Sequence, residues 1–172
     1  MKISQEFDAI VGFAREEAMR TGSFTIEADH LFLGLLRHAA NPAVDALRTL
    51  GVDTVGCKAE IDTLVFHDQG IPYSAEDGIR LGREGSNTVS LAIAEAMADG
   101  AGEAGAIHLL KAICKQESCH SSEYLRRRGI TVRCFSDSKP ASQKCETEVS
   151  KRNIALLLST INLSINKNNI VS

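Results

Sequence analysis

No stretch of the 172-residue chain approaches the roughly 18 uninterrupted apolar residues that a membrane span requires, so a membrane-spanning role is not expected. Excess charge of one sign is also missing. Nineteen Lys and Arg stand against 22 Asp and Glu, and a net charge of −3 gives no global attraction to nucleic acid or to an anionic membrane. The opening Met1-Lys2-Ile3-Ser4-Gln5-Glu6 lacks the charged-then-apolar layout of a signal peptide, which makes the cytoplasm the expected compartment. Cysteines number five, at irregular spacing (57, 114, 119, 134 and 145), which does not read as a disulfide framework and fits a reducing environment. There is no Gly-x-x-x-x-Gly-Lys-Ser/Thr loop, so the chain cannot bind and hydrolyse ATP in the manner of a P-loop enzyme. The glycines between Gly78 and Gly85 follow no strand signal, and a dinucleotide-binding loop is therefore unsupported. Few segments alternate with a period of two, which argues against a β-rich fold.

What is present is an internal repeat. Shifting the sequence by 78 residues aligns 14–52 with 92–130 without a gap, and 11 of the 39 positions are identical. Ala14, Glu17, Ala18, Met19, Gly22, Ala28, His30, Leu31, Leu47, Arg48 and Gly51 recur as Ala92, Glu95, Ala96, Met97, Gly100, Ala106, His108, Leu109, Leu125, Arg126 and Gly129. In the first unit Phe7, Ile10, Val11, Ala14 and Ala18 form the stripe of an amphipathic helix that stops near Gly22. The denser stripe Ala28, Leu31, Phe32, Leu35 and Leu36 predicts a second helix, the most buried of its unit. Asn41 as cap, Pro42 at the first helical position and Gly51 as stop delimit a third. Asp53 caps a fourth, with Ile61, Leu64 and Val65 inward.

These signals predict an all-α fold of two pseudosymmetric units of about four helices each, in one domain over 1–136: a first unit at 4–66, a linker at 67–86 and a second unit at 87–136. A short helix is expected within the linker around Ala75 to Leu81. In the second unit Ser121 or Ser122 is the expected cap of the third helix, and Pro140 should shorten the fourth. Residues 137–172 read as a polar tail, with either one helix over Glu146 to Ile165 or no order.

The candidate chemistry is sparse. Cys114, Cys119 and His120 are of the zinc-ligand type, but no fourth ligand stands at a sensible spacing, and a thiol nucleophile would lack an evident base; no metal and no cofactor are expected. His30 and His108 occupy equivalent positions, where a histidine at a helix start can orient the neighbouring loop. The other interpretation is that Glu27, Asp29 and His30, with His108 in the second unit, line a polar surface that binds protein or peptide. Arg126, Arg127 and Arg128 suit a solvated helix end.

The segments Phe13 to Ala18, Ile26 to Leu36, Ala46 to Val52, Gly105 to Ile113 and Tyr124 to Ile130, in this order, resemble the double Clp repeat, the amino-terminal domain of Clp unfoldases. The resemblance covers about residues 4–136 and is closer to the ClpA and ClpC type than to the ClpB type. It implies a non-catalytic module that recruits protein substrates or Clp adaptor proteins for an ATP-driven ring absent from this chain. A free-standing accessory or a self-associating protein without an unfoldase partner is the alternative, and a small metal- or thiol-dependent protein using Cys114, Cys119 and His120 ranks behind both. ClpC-type domains that bind phosphorylated arginine resemble this chain at Asp29, whereas Ile107 at the second site cannot pair with a guanidinium.

Overall fold

The computed structural model describes residues 2–38, 40–67 and 69–135. The first unit runs β1 (Lys2–Ile3), α1 (Gln5–Thr21), β2 (Thr25–Ile26), α2 (Ala28–Arg37), α3 (Pro42–Thr49) and α4 (Thr54–Val65). A 3-10 turn (Tyr73–Gly78) leads to β3 (Arg80–Leu81), α5 (Arg83–Ala98), β4 (Glu103–Ala104), α6 (Ala106–Lys115), α7 (His120–Arg127) and a closing 3-10 turn (Val132–Phe135). Each element of the second unit starts 78 residues after its counterpart, so the duplication extends well past the window in which identities are visible.

The boundaries follow from local capping. The Ser4 hydroxyl accepts the Phe7 N–H at 3.1 Å, Asn41 Oδ1 accepts the Val44 N–H at 2.9 Å, and Asp53 Oδ1 accepts the Val55 N–H at 3.1 Å. Gly22, Gly51, Gly100 and Gly129 take left-handed φ values from +68° to +84°, which end the first and third helices of both units.

The units interlock through their strands. β1 pairs in parallel with β4, Lys2 against Glu103, and β2 pairs in parallel with β3, Thr25 against Arg80. Each strand that precedes a unit's first helix thus pairs with the strand that precedes the other unit's second helix. Beneath them lies one shared core. Phe7, Ile10, Leu31, Phe32, Leu35, Leu109, Leu110 and Ile113 are fully buried, each contributing about 1.5–3 kcal/mol of transfer free energy. α2 is buried from Ala28 to Leu36, as its dense stripe predicts. It crosses α1 closely at Gly34, where a Cβ would stand 2.6 Å from the Ile10 carbonyl oxygen.

Several expectations need correction. Cys119 caps α7, its Sγ accepting the Ser122 N–H at 3.4 Å, because α7 keeps the register of α3 and Cys119 stands where α3 has Asn41. Ser121 and Ser122 lie inside the helix and are buried. α5 starts at Arg83, within the segment read as linker; Gly82 and Gly85 serve close approach, since a Cβ on either would stand within about 2 Å of Glu27 Oε1 or the Ile26 carbonyl oxygen. The short linker helix is a 3-10 turn at Tyr73–Gly78, followed by β3. Leu64 is 47% exposed, and the inner face of α4 consists of Cys57, Ile61 and Val65. Among the described residues the second unit's fourth helix position holds a 3-10 turn, Val132–Phe135, and the expectations for Pro140 and for 137–172 lie outside the described residues.

Candidate functional site

The two histidines do the same job at the starts of α2 and α6. His30 Nδ1 accepts the Glu27 N–H at 3.1 Å, and His108 Nδ1 accepts the Gly105 N–H at 3.0 Å. With Nδ1 an acceptor, the neutral ring carries its proton on Nε2. Thr21 donates its hydroxyl proton to the carbonyls of Glu17 and Ala18, so His30 Nε2–H donates to Thr21 Oγ1 at 3.1 Å. His108 Nε2 faces Asp99 Oδ2 at 3.4 Å, and Asp99 is the counterpart of Thr21. Burial lowers the pKa of both rings below the ordinary 6.5, outweighing Asp29 and Glu27 around His30 and Asp99 around His108.

Glu27 and Asp29 turn toward the second unit. Glu27 Oε2 accepts the Gly85 N–H of α5 at 3.0 Å. Asp29 is 8% exposed, and its carboxylate accepts the N–H of His120 at 3.1 Å, the N–H of Ser121 at 2.7 Å and the Ser121 hydroxyl. Glu6 of α1 adds a third such contact, accepting the Ala106 N–H of α6 at 3.4 Å. Three carboxylates of the first unit thus serve the amino ends of α5, α6 and α7, where unpaired N–H groups and the helix dipole favour negative charge. Among the described residues no carboxylate of the second unit makes the reverse contact. Ile107 stands where Asp29 would, and α3 begins with Pro42, which has no N–H to offer. Glu27, Asp29 and His30 are therefore brought together at one helix start, while His108 stands at the equivalent start in the other unit with partners of its own.

A buried ion pair marks a second difference between the units. Lys111, 1% exposed, replaces the Leu33 of the first unit and pairs with Asp99, which replaces Thr21. Glu17, also buried, is ringed by Arg20 at 2.7 Å, Arg37 at 3.5 Å and Lys58 at 3.6 Å, tying α1 to α2 and α4.

The surface holds features that the sequence reading passed over. A shallow depression of about 250 Å³ is lined by Glu16, Met19, Arg20, Arg37, Ile71 and Tyr73. A second, of about 340 Å³, is lined by Arg20, Asp62, Thr63 and Phe66. They meet at Arg20, with Phe66 53% and Tyr73 74% exposed. The available signal was two aromatic residues flanking a glycine-containing segment, in a chain with few aromatics. Arg128 stacks over the Tyr124 ring at 3.6 Å, and Arg127 reaches Glu60 of α4 at 3.4 Å, so this basic cluster binds the units together as well as meeting solvent.

Burial pushes Cys57 up to about 11 and Cys114 up to about 12, and raises Cys119, so these three are protonated at neutral pH. Among the described residues no group of His, Cys, Asp and Glu is placed to hold a metal ion, and His120, one of the three residues of zinc-ligand type, is exposed. No helix among them is long and apolar enough to cross a membrane.

Comparison with known proteins agrees with this architecture. The chain is 23% identical over 131 residues to the negative regulator of genetic competence ClpC/MecB of Bacillus subtilis (strain 168), and equally to the chaperone protein ClpB of Oceanobacillus iheyensis. In both cases 76% of this chain is covered but only 16% of the relative's length. The fold matches the N-terminal domain of Hsp104 from Candida albicans with a TM-score of 0.63 at 11% identity, covering 79% of this chain and 87% of that one. It matches the N-terminal domain of the caseinolytic protease associated chaperone ClpD from Arabidopsis thaliana with a TM-score of 0.60 at 11% identity, covering 78% and 90%. The model of the Clp repeat (R) N-terminal domain matches residues 2–128, and with the duplicated helices α1–α3 and α5–α7 and both histidines in the same span, the chain belongs to that family.

Proposed function

We propose that the chain is a non-catalytic protein-binding module that recruits unfolding substrates or adaptor proteins to a Clp ATPase ring in the cytoplasm. The observation that carries this reading is the exposed pair Phe66 and Tyr73 beside two depressions that meet at Arg20, on a domain of the Clp repeat family. Aromatic rings and arginines at one surface are the usual anchors of protein interfaces. Depressions of about 250 and 340 Å³ lie at the small end for a cofactor or metabolite and suit single side chains of a partner. In this reading Glu27, Asp29, His30 and His108 are positioning residues that fix the helix starts, and contact with the partner falls to Phe66, Tyr73, Arg20 and Arg37.

The test uses a Clp ATPase ring stripped of its own N-terminal domain, with and without this full chain fused in its place, and labelled casein as an unfolded substrate. The fusion should raise the rate of casein processing, and Phe66→Ala with Tyr73→Ala should reduce the gain. A fusion no faster than the stripped ring contradicts recruitment.

A further inference from the structure

Three of the four cysteines among the described residues gather at one corner of the second unit. Cys114 lies in the last turn of α6, Cys119 caps α7, and Cys134 sits in the closing 3-10 turn, which packs against α6. Cys114 and Cys134 both rest, half-buried, against the shared core. Burial is the largest cause of the raised Cys114 value, and the Cys134 and Cys119 thiols are the next two, in that order, so both lie within electrostatic reach of it. The fourth thiol, Cys57, stands apart in α4 beside the Tyr124 hydroxyl.

The duplication shows that packing does not require sulfur at these positions. The counterparts of Cys114, Cys119 and Cys134 in the first unit are Leu36, Asn41 and Gly56: an aliphatic, an amide cap and a glycine. The closing turn begins 78 residues after α4, so Cys134 keeps the register of Gly56 in the first turn of that helix. The three thiols differ in their readiness to react. Cys119 is buried, and its sulfur is held as the acceptor of the Ser122 N–H at 3.4 Å. Cys134 is partly open to solvent, and its S–H meets the Gly129 carbonyl only at 4.0 Å, a weak contact that is readily given up. Cys114, protonated at neutral pH, is suited to the second attack and not to the first.

We propose that Cys134 and Cys114 form a reversible disulfide, driven by hydrogen peroxide, that staples the closing turn to α6. The Cys134 thiolate attacks one peroxide oxygen, the O–O bond breaks, and the leaving hydroxide takes up a proton as water, so that Cys134 becomes a sulfenic acid. The Cys114 sulfur then attacks that of Cys134. The S–O bond breaks, and the departing hydroxide takes the Cys114 proton as a second water. Two thiols lose two electrons, one peroxide gains them, and a thiol reductant reverses the change. In a reducing compartment such a bond is transient and reports an oxidant. The pairing goes beyond the recruitment reading and does not rest on it.

The test uses the full, reduced chain. Trypsin cuts after Lys58, Lys111, Lys115, Arg133 and Lys144, so each of the 5 cysteines falls on a peptide of its own. After treatment with hydrogen peroxide and alkylation of the remaining thiols, mass spectrometry without reduction should find residues 112–115 joined to 134–144, and dithiothreitol should release them. The oxidised chain should melt about 5–10 °C above the reduced one, because the bond closes a loop across the end of the second unit. Cys119→Ser should leave the link in place. Cys114→Leu and Cys134→Gly, which install the residues of the first unit, should each abolish it, with thermal melts confirming that they fold. Dibromobimane, which fluoresces on bridging two neighbouring thiols, gives a check that needs no oxidant: the reduced chain should light up, and Cys134→Gly should lose most of the signal. The peptide map of the unaltered chain decides even where a variant unfolds. Cys134 halted at a sulfenic or sulfinic acid, with Cys114 alkylated, overturns the proposal. So does Cys134 joined to Cys119, to Cys145 or to a second copy of the chain.

Discussion

Lys111 is almost wholly buried, and a buried ammonium is tolerated only with its charge matched. Asp99 supplies the match, and the first unit reaches the same packing with Leu33 and Thr21. Asp99→Thr alone should therefore cost about 3–5 kcal/mol, because it strands the lysine. Adding Lys111→Leu, which recreates the arrangement of the first unit, should recover most of that loss; equal costs for the single and double variants in urea denaturation would contradict the pairing. Leu31→Ala and Leu109→Ala, at the equivalent centres of the two units, should each cost about 2–5 kcal/mol. Hydrophobic positions such as these were legible in the sequence because helical spacing records them directly. The destination of Asp29 was not. A carboxylate at a helix start looks like surface chemistry until its acceptor oxygens are seen to serve donors 91 and 92 residues away, a pairing that no local pattern encodes.

At the scale of the element, helix starts govern the response to pH. His30 and His108 must keep Nδ1 unprotonated to accept the loop N–H groups. Unfolded histidines titrate near the ordinary 6.5, while burial lowers both values in the fold. The unfolded state therefore binds more protons just below pH 6.5. The stabilisation is present above that pH and is lost as pH falls through the folded values. The groups facing His30 are Asp29, Glu27, His67 and Glu17, and those facing His108 are Asp99, Lys111 and Glu95. Denaturation midpoints should fall from pH 7.5 to pH 5.5, and His30→Gln with His108→Gln should flatten the slope; an unaltered slope would remove the histidines from the explanation. Helix limits were legible because Asn41, Asp53 and the stop glycines Gly22 and Gly51 act within a turn of where they stand. The α7 start was misjudged because serine is a stronger local cap signal than cysteine. Only alignment of Cys119 with Asn41 carries the correct register.

Across the whole molecule, each unit completes the other. β1 pairs with β4, β2 with β3, and three carboxylates of the first unit cap helices of the second. Residues 2–78 expressed alone should therefore lack cooperative unfolding and dispersed amide signals, whereas a folded half-chain would show that the seam is dispensable. The repeat announced two units, yet the parallel strand exchange was illegible, since two-residue strands carry no periodicity. Duplication also makes the differences between the units informative. The first unit covers its α1 end with Ile71, and the second leaves Met97 exposed. The most direct measurement is an equilibrium titration of labelled, unfolded casein with the full chain, followed by anisotropy. Saturable binding is expected, weakened by Phe66→Ala with Tyr73→Ala. A folded chain that leaves the casein signal flat would contradict a recruiting module.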